Sequence, residues 1–265
     1  IMEVVKLDNG RRYAMKQLRE ASANDPAERK LLAFEAKLGM ELSHPNLIRV
    51  HEYVSKGDMP YFVMDYFPSN HLRQLIKFAE KFNFTSSRIR RVMIHAARGL
   101  GYMHDKGWIH RDIKPENILV NKAGETKVID YALARRPPSA LAKLLGAKPP
   151  CQGTESYMSP EQILRWPPAV SADIYSFGIT CYEMVTGRQP FRANSRAELF
   201  DKHLRSKPAS PIMHNPNVTP EFADLVLSML IKDPGKRPES MMVFLSRLRS
   251  IRIFKDDPDP ATQES

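Results

Sequence analysis

The character of the chain changes once, at Phe67-Pro68-Ser69-Asn70, and that break limits what it can fold into. Before it, residues 3–7 (EVVKL) and 12–18 (RYAMKQL) read as two strands, with Asn9-Gly10 between them as a hairpin turn. Asp25-Pro26 opens a helix over 27–42, in which Leu31, Leu32, Phe34, Leu38 and Leu42 recur at helical spacing, and His44-Pro45-Asn46 ends it. Two further strands follow at 47–54 and 60–65. After the break, helices dominate. The first spans 87–104, with Ile89, Val92, Met93, Ala96, Leu100 and Met103 on one face. Others span 173–186, 196–205, 220–231 and 239–250. Between them lie two short apolar runs, Ile118-Leu119-Val120 and Lys127-Val128-Ile129, which turn about Asn121-Lys122-Ala123-Gly124. Residues 135–153 carry Pro137, Pro138, Pro149 and Pro150 and read as loop. A chain of 265 residues so divided makes one large domain, or two lobes sharing a cleft.

Composition excludes several classes. At 42% hydrophobic residues the chain can build a core, so it is not a disordered protein. Its two cysteines, Cys151 and Cys181, form neither a disulfide framework nor a metal-ligand pattern, and they point to a reducing compartment. No apolar run reaches the roughly 20 residues of a membrane span, and no signal peptide opens the chain. It begins at Ile1 and reads as an excerpt from a longer protein. The net charge of +10 is uneven: residues 1–66 hold ten basic and ten acidic side chains, so the whole excess lies beyond them. With no base-reading motif and no alternation of basic with aromatic residues, this reads as a solvated basic surface, and no nucleic-acid partner is expected. A basic cleft would also suit nucleotide phosphates and an acidic substrate.

The chemistry concentrates in Ile109 to Val120, IHRDIKPENILV. Asp112 can accept a proton from an alcohol. Lys114 can neutralise a phosphate oxygen. Asn117 offers a carbonyl oxygen to a hard cation, and Asp130, after a β-branched run, offers a carboxylate. An amide oxygen and a carboxylate brought together by a hairpin suit Mg²⁺, which is held by a few protein oxygens together with substrate phosphates.

With these residues in place the chain resembles the eukaryotic-like Ser/Thr protein kinases. His110, Arg111, Asp112 and Asn117 match the H-R-D-x-x-x-x-N catalytic loop, and Asp130 matches the Asp of D-F-G. Lys114-Pro115-Glu116 is the form typical of Ser/Thr kinases. The resemblance makes Asp112 the catalytic base, with Lys114 and Thr154 beside it, and Asn117 and Asp130 the Mg²⁺ ligands. Tyr13-Ala14-Met15-Lys16 resembles the strand whose Lys contacts the nucleotide phosphates, and Glu35 is its implied partner. Met64-Asp65-Tyr66-Phe67 supplies gatekeeper and hinge for adenine, and Ala14 and Leu119 enclose the base. Ser159-Pro160-Glu161 resembles A-P-E, with Arg237 its ion-pair partner. Asp173 resembles the Asp that anchors the central helix to the catalytic loop. The implied fold is α+β and bilobal: an antiparallel-sheet N-lobe with one long helix over 1–66, a mainly helical C-lobe over 67–254, and a flexible tail over 255–265. The implied cofactors are ATP and Mg²⁺, the partner is a protein substrate with Ser or Thr, and the location is cytoplasmic, alone or as part of a larger membrane-anchored protein. The style of GWIHRDIKPENILV and YMSPEQ resembles bacterial members.

Four departures stand against the pattern. No glycine-rich loop precedes the first strand, since Ile1 aligns with the Val that follows it. D-F-G reads Asp130-Tyr131-Ala132: the tyrosine adds a hydroxyl in need of a partner, and alanine restricts positive φ. The usual acceptor position of the activation segment, three residues before Gly153, is Pro150, which leaves Ser139 as its one aliphatic hydroxyl between Asp130 and Gly153. Gly39 stands one turn after Glu35, where a larger apolar side chain is usual, and Met40 or a neighbour is expected to fill the gap. The first two departures allow a pseudokinase that binds nucleotide or partner without turnover. The intact Lys16, Glu35, Asp112, Asn117 and Asp130 argue against it. Thr154, Glu161 and Arg237 favour a protein substrate over a small-molecule one.

Overall fold

The structure, a computed structural model, describes residues 2–5, 10, 12–138 and 148–258. Four antiparallel strands in the order β1-β2-β4-β3 make the N-lobe sheet: β1 (Met2–Val5), β2 (Arg12–Gln17), β3 (Val50–Val54) and β4 (Tyr61–Asp65). Helix α1 (Pro26–Glu41) packs against it. Asp25 caps this helix, accepting the Ala27 N–H at 2.8 Å, and Pro26 occupies the first turn, where its missing N–H costs nothing. The expected hairpin turn falls largely outside the described residues, as does Ser139. The strand expected from residue 47 begins only at Val50, because residues 46–48 bond instead to Val128 in the other lobe.

The C-lobe begins with a short strand β5 (Asn70–His71) and helix α2 (Leu72–Lys77), followed by α3 (Ser86–Asp105). A hairpin of β6 (Ile118–Val120) and β7 (Thr126–Val128) completes a second, three-stranded sheet with β5. Next come α4 (Pro160–Ile163), α5 (Val170–Thr186), α6 (Arg196–Arg205), α7 (Pro220–Met229) and α8 (Met241–Arg249). Helix α5 is buried on all sides from Ala172 to Val185, with Asp173, Ser176, Thr180 and Glu183 among its mostly apolar residues. A helix of that kind belongs at the centre of a lobe, and the others pack about it. Among the described residues, no helix is long and apolar enough to cross a membrane.

Of the tail expected over 255–265, residues 255–257 are bonded to the C-lobe, and 259–265 lie outside the described residues. Lys255 donates its N–H to Asn217, and the buried Asp257 carboxylate accepts the N–H groups of Ile253 and Phe254 at 3.2 and 3.0 Å. Two prolines and a run of acids hid this Asp-mediated cap, which fastens the chain to the C-lobe through residue 257.

Candidate active site

The lobes meet along a cleft, and four elements deliver charged groups to it. Strand β2 presents Lys16, and α1 presents the buried Glu35. The Lys16 Nζ lies 2.8 and 2.7 Å from the two Glu35 carboxylate oxygens and 3.4 Å from Asp130 Oδ1. Burial pushes the Glu35 carboxyl up to about 7, against the pull of Lys16. Burial pulls the Lys16 ammonium down, but the carboxylates of Glu35 and Asp130 outweigh it, and the net displacement is upward. One ammonium thus serves two carboxylates, and on acidification Glu35 takes a proton while Lys16 keeps its charge.

The catalytic loop is held from below. Asp173, fully buried on α5, accepts the N–H groups of His110 and Arg111, each at 2.8 Å, and its other contact is His104 Nε2 at 2.8 Å. Burial alone would raise the Asp173 carboxyl, but His104, His110 and the amide bonds hold it below the usual carboxylate range. The anchorage keeps Arg111 at φ +69°, a left-handed conformation that a non-glycine residue adopts only under constraint.

That bend aims Asp112. Its Oδ1 accepts from the N–H and the hydroxyl of Thr154, both at 2.9 Å. Its Oδ2 accepts from Lys114 Nζ at 2.7 Å and from Asn117 Nδ2 at 3.1 Å. Lys114 also reaches the Thr154 hydroxyl at 2.5 Å. Burial pushes Asp112 up, but Lys114 and Thr154 outweigh it and leave its carboxyl below the ordinary range. A carboxylate so held is a weak proton acceptor and a good hydrogen-bond acceptor, suited to orienting a hydroxyl.

The β6–β7 hairpin brings Asn117 and Asp130 to adjacent ends of paired strands, where the Ile129 N–H donates to the Asn117 carbonyl at 3.0 Å. Asn117 spends its amide N–H on Asp112, which leaves its side-chain oxygen for a cation, and Asp130 is over a third exposed. Two hard oxygens beside open space fit Mg²⁺ sharing its shell with phosphates. No group of three or more His, Cys, Asp or Glu among the described residues could hold a metal alone, so such an ion would depend on phosphate oxygens.

At the back of the cleft a cavity of about 50 Å³ is lined by Lys16, Glu35, Ile48, Phe62, Met64 and Tyr131, among others. Ala14 stands opposite Met64 in the β2–β4 register, and Leu119 lies half-buried on β6. The Asp65 carboxylate turns away: His51 Nε2 meets it at 2.7 Å and Lys127 Nζ at 3.8 Å. The Asp65 N–H is spent as well, on the Arg49 carbonyl at 2.9 Å, so neither its carboxylate nor its N–H is free to meet a base. The Phe67 ring lies against Lys127 Nζ, 5.8 Å from its centroid.

Beyond the cleft, Glu161 and Arg237 form a buried pair with contacts of 2.7 and 3.0 Å. Arg111 contacts the Pro150 carbonyl at 3.4 Å. The gap at Gly39 is not filled by Met40, which is 42% exposed. Val50 fills it: a Cβ at residue 39 would stand 2.3 Å from Val50 Cγ2. Sequence reasoning missed a second polar cluster beside the catalytic loop. There Arg73 bonds Glu116 at 2.7 Å and also meets Glu183 and the Tyr157 hydroxyl, which itself donates to Glu183 at 2.6 Å. Its members come from four distant segments, and no local spacing announces it.

The family model described as "Protein kinase domain" matches residues 1–247. The probable serine/threonine-protein kinase SCO3848 of Streptomyces coelicolor is 33% identical over 235 residues, which is 87% of this chain and 34% of that protein. Serine/threonine-protein kinase PknA of Mycobacterium tuberculosis is 28% identical over 266 residues, 98% of this chain and 60% of that protein. PknB of Mycolicibacterium smegmatis is 32% identical over 234 residues, 86% and 36% respectively. The chain therefore spans between about a third and three-fifths of the length of these relatives.

Proposed function

We propose, from the premise that this chain belongs to the protein kinase family, that it transfers the γ-phosphoryl group of ATP to Ser or Thr hydroxyls of a protein substrate. The observation that carries this reading is the Asp112 carboxylate held by Lys114 and Thr154 at the mouth of a cleft that also contains Lys16 and Asp130. Phosphoryl transfer asks little covalent chemistry of a protein; it asks for in-line positioning and for neutralisation of spreading negative charge.

The residues divide that work. Lys16, fixed by Glu35, meets the nucleotide phosphates. Ala14, Leu119, Met64 and the main chain at Asp65 and Phe67 receive the adenine. Asn117 and Asp130 hold Mg²⁺, which when bound draws the phosphate oxygens together and offsets their charge. Asp112 accepts a hydrogen bond from the substrate hydroxyl and points its oxygen at the phosphorus. Lys114, already beside Asp112, is placed to neutralise the transferred group. The Thr154 tie and the Glu161–Arg237 pair keep the segment that receives the substrate peptide against the catalytic loop. The need for ATP puts the domain on the cytoplasmic side, whatever the rest of its protein does.

The test is transfer of labelled γ-phosphate from ATP to a generic Ser/Thr protein substrate, with Mg²⁺ and with EDTA. Mg²⁺-dependent transfer is expected, with the rate falling at least a thousandfold or so in Asp112→Asn, a carboxylate lost from the reacting centre. Absence of transfer while ATP still raises the melting temperature would replace this reading with that of a nucleotide-binding module.

A further inference from the structure

The outer side of α3 carries cations that the chemistry of the cleft does not use. Arg91, His95 and Arg98 follow one another at i, i+4 and i+7, so they stand in one row, away from the buried stripe that includes Val92 and Leu100. Beside this row opens a pocket of about 380 Å³, within the range of small-molecule sites. One wall is α3 from Ser86 to Arg98, and the other is the end of the C-lobe at Asp257 and Pro258. The pocket shares no lining residue with the cavity at the back of the cleft.

The charges in this pocket are not balanced from within. Three arginines, residues 90, 91 and 98, share the wall with a single acid, Asp257. The Oδ2 of Asp257 already accepts the N–H groups of Ile253 and Phe254. Arg90 is fixed in the wall, with its terminal nitrogens on the carbonyls of Leu248 and Ile251 at 2.9 and 2.6 Å. Arg91 spends one nitrogen on the Ala123 carbonyl at 2.7 Å. Arg98 has neither a hydrogen bond nor an ion pair among the described residues.

His95 stands between the two exposed arginines. Its Nδ1 is closed off from solvent and has no partner among the described residues, whereas buried polar atoms are ordinarily satisfied. Burial, then Arg98 and Arg91, pull its imidazole below the ordinary range, against the opposite pull of Glu125. Like charges one turn apart weaken a helix, and a bound anion would reverse that effect. The guanidinium group presents parallel N–H donors that match the paired oxygens of phosphate. The pocket is larger than one phosphate group, and Ile94 and Pro258 give the remaining space an apolar wall.

We propose that this pocket binds a phosphomonoester, with the phosphate on Arg91, His95 and Arg98 and the carbon body of the ligand against Ile94 and Pro258. The phosphate has two possible sources, a free small molecule or the headgroup of phosphatidic acid, and the same three side chains receive either.

The test follows the imidazole NMR signals of His95 in the full chain as glycerol 3-phosphate is added. A second arm measures co-sedimentation with phosphatidylcholine vesicles, with and without phosphatidic acid. The His95 signals are expected to shift to saturation with glycerol 3-phosphate and not with sodium chloride of equal ionic strength. Arg91→Gln and Arg98→Gln change exposed side chains and should melt with the unchanged chain. Each is expected to raise the dissociation constant about tenfold, the worth of one hydrogen bond to a charged group. Arg205→Gln, which removes a like charge from α6 outside the pocket, should leave it unchanged. Saturable glycerol 3-phosphate binding without vesicle binding assigns the site to a soluble ligand. Co-sedimentation that requires phosphatidic acid and is lost in both pocket variants assigns it to a headgroup. The proposal falls if neither probe binds, or if the pocket variants bind as tightly as the unchanged chain. It falls equally if Arg205→Gln weakens binding as much as they do, since net charge alone would then account for it. Neither arm requires phosphoryl transfer, so the result stands apart from the kinase reading.

Discussion

At the scale of single residues, the Lys16–Glu35 pair has a consequence opposite in sign for activity and for stability. The Glu35 carboxyl is displaced by burial from its ordinary 4.5 up to about 7. On the proposed function, activity needs the carboxylate, because only the charged form holds Lys16 on the phosphates. The kcat/KM for ATP should therefore rise with pH through about 7. Stability runs the other way. A carboxyl whose folded value lies above its unfolded one binds its proton more tightly in the folded state, so its contribution is full below 4.5 and is lost as pH climbs towards 7. Glu35→Gln should remove the rising limb of the rate profile and flatten the slope of melting temperature over the same interval. It should also lower kcat/KM roughly ten- to a hundredfold, the worth of a hydrogen bond to a charged group. A rate profile flat through pH 6–8 in the unchanged chain would show that Glu35 is ionised throughout. At this scale the site was largely legible. Lys16, Glu35, Asp112, Asn117, Asp130 and Thr154 stand together as their matches to the family strings implied. The turning of the Asp65 carboxylate to His51 and Lys127 was not legible, because it depends on a sheet register that brings residue 51 beside residue 65. The filling of the Gly39 gap by Val50 was hidden for the same reason: helix and strand are neighbours only in the fold.

At the scale of elements, long periodic helices could be read from their apolar spacing, and short ones could not. Helices α1, α3 and α5 to α8 fall where periodicity puts them, within a few residues at their ends. Helix α2 has six residues and α4 four, too few for a period of 3.6 to show. The one local signal for α4 was its capping box, Ser159 with Gln162, in front of which Pro160 sets the first turn. What α4 contributes is Glu161, and the Glu161–Arg237 pair ties it to the turn before α8. Both side chains are 4% exposed or less, and Arg237 spends further N–H groups on the carbonyls of Ile231, Lys232 and Ser171. Removing one partner of such a pair leaves a buried charge without compensation. Arg237→Ala is expected to cost about 3–5 kcal/mol, which for a domain of this size lowers the melting temperature by roughly 10 °C. Arg237→Lys restores the charge but not the planar fork, and should recover only part of the loss. Calorimetric melts of the two variants check the order. An alanine variant that melts with the unchanged chain would mean that water reaches Glu161.

At the scale of the whole molecule, the two lobes are stitched together at the β6–β7 hairpin, away from the hinge. Asn46 donates its side-chain amide to the Thr126 carbonyl at 3.0 Å and accepts the Val128 N–H at 2.8 Å. Ile48 returns a bond to the Val128 carbonyl at 3.0 Å, and Lys127 Nζ donates to the carbonyls of Pro45 and Leu47. The segment that leads out of α1 towards β3 is thereby docked on the hairpin that ends at Asp130. Motion of one lobe against the other must carry this segment with it or break these bonds. Helix α3 closes the arrangement from beneath, and two of its glycines separate the effects of packing and propensity. Replacing either by alanine gains up to about 1 kcal/mol of helix propensity. At Gly101 the added methyl would meet Met241 Cβ at 3.5 Å, an ordinary contact. At Gly99 it would meet the Asn46 carbonyl oxygen at 2.8 Å, the backbone atom that accepts the Val128 N–H in the stitch. Gly101→Ala should therefore be neutral or raise the melting temperature. Gly99→Ala should lower stability by about 1–3 kcal/mol, the usual cost of overpacking. Because the displaced atom holds Val128, two residues before Asp130, Gly99→Ala should also reduce kcat measured well below its melting temperature. If the two variants behave alike in melts and in rate, segment 44–48 has room to move, and the relation between Lys16 and Asp130 is set elsewhere. If they diverge as expected, the close approach of α3 to Asn46 is what keeps the β6–β7 hairpin and Asp130 in register with Lys16.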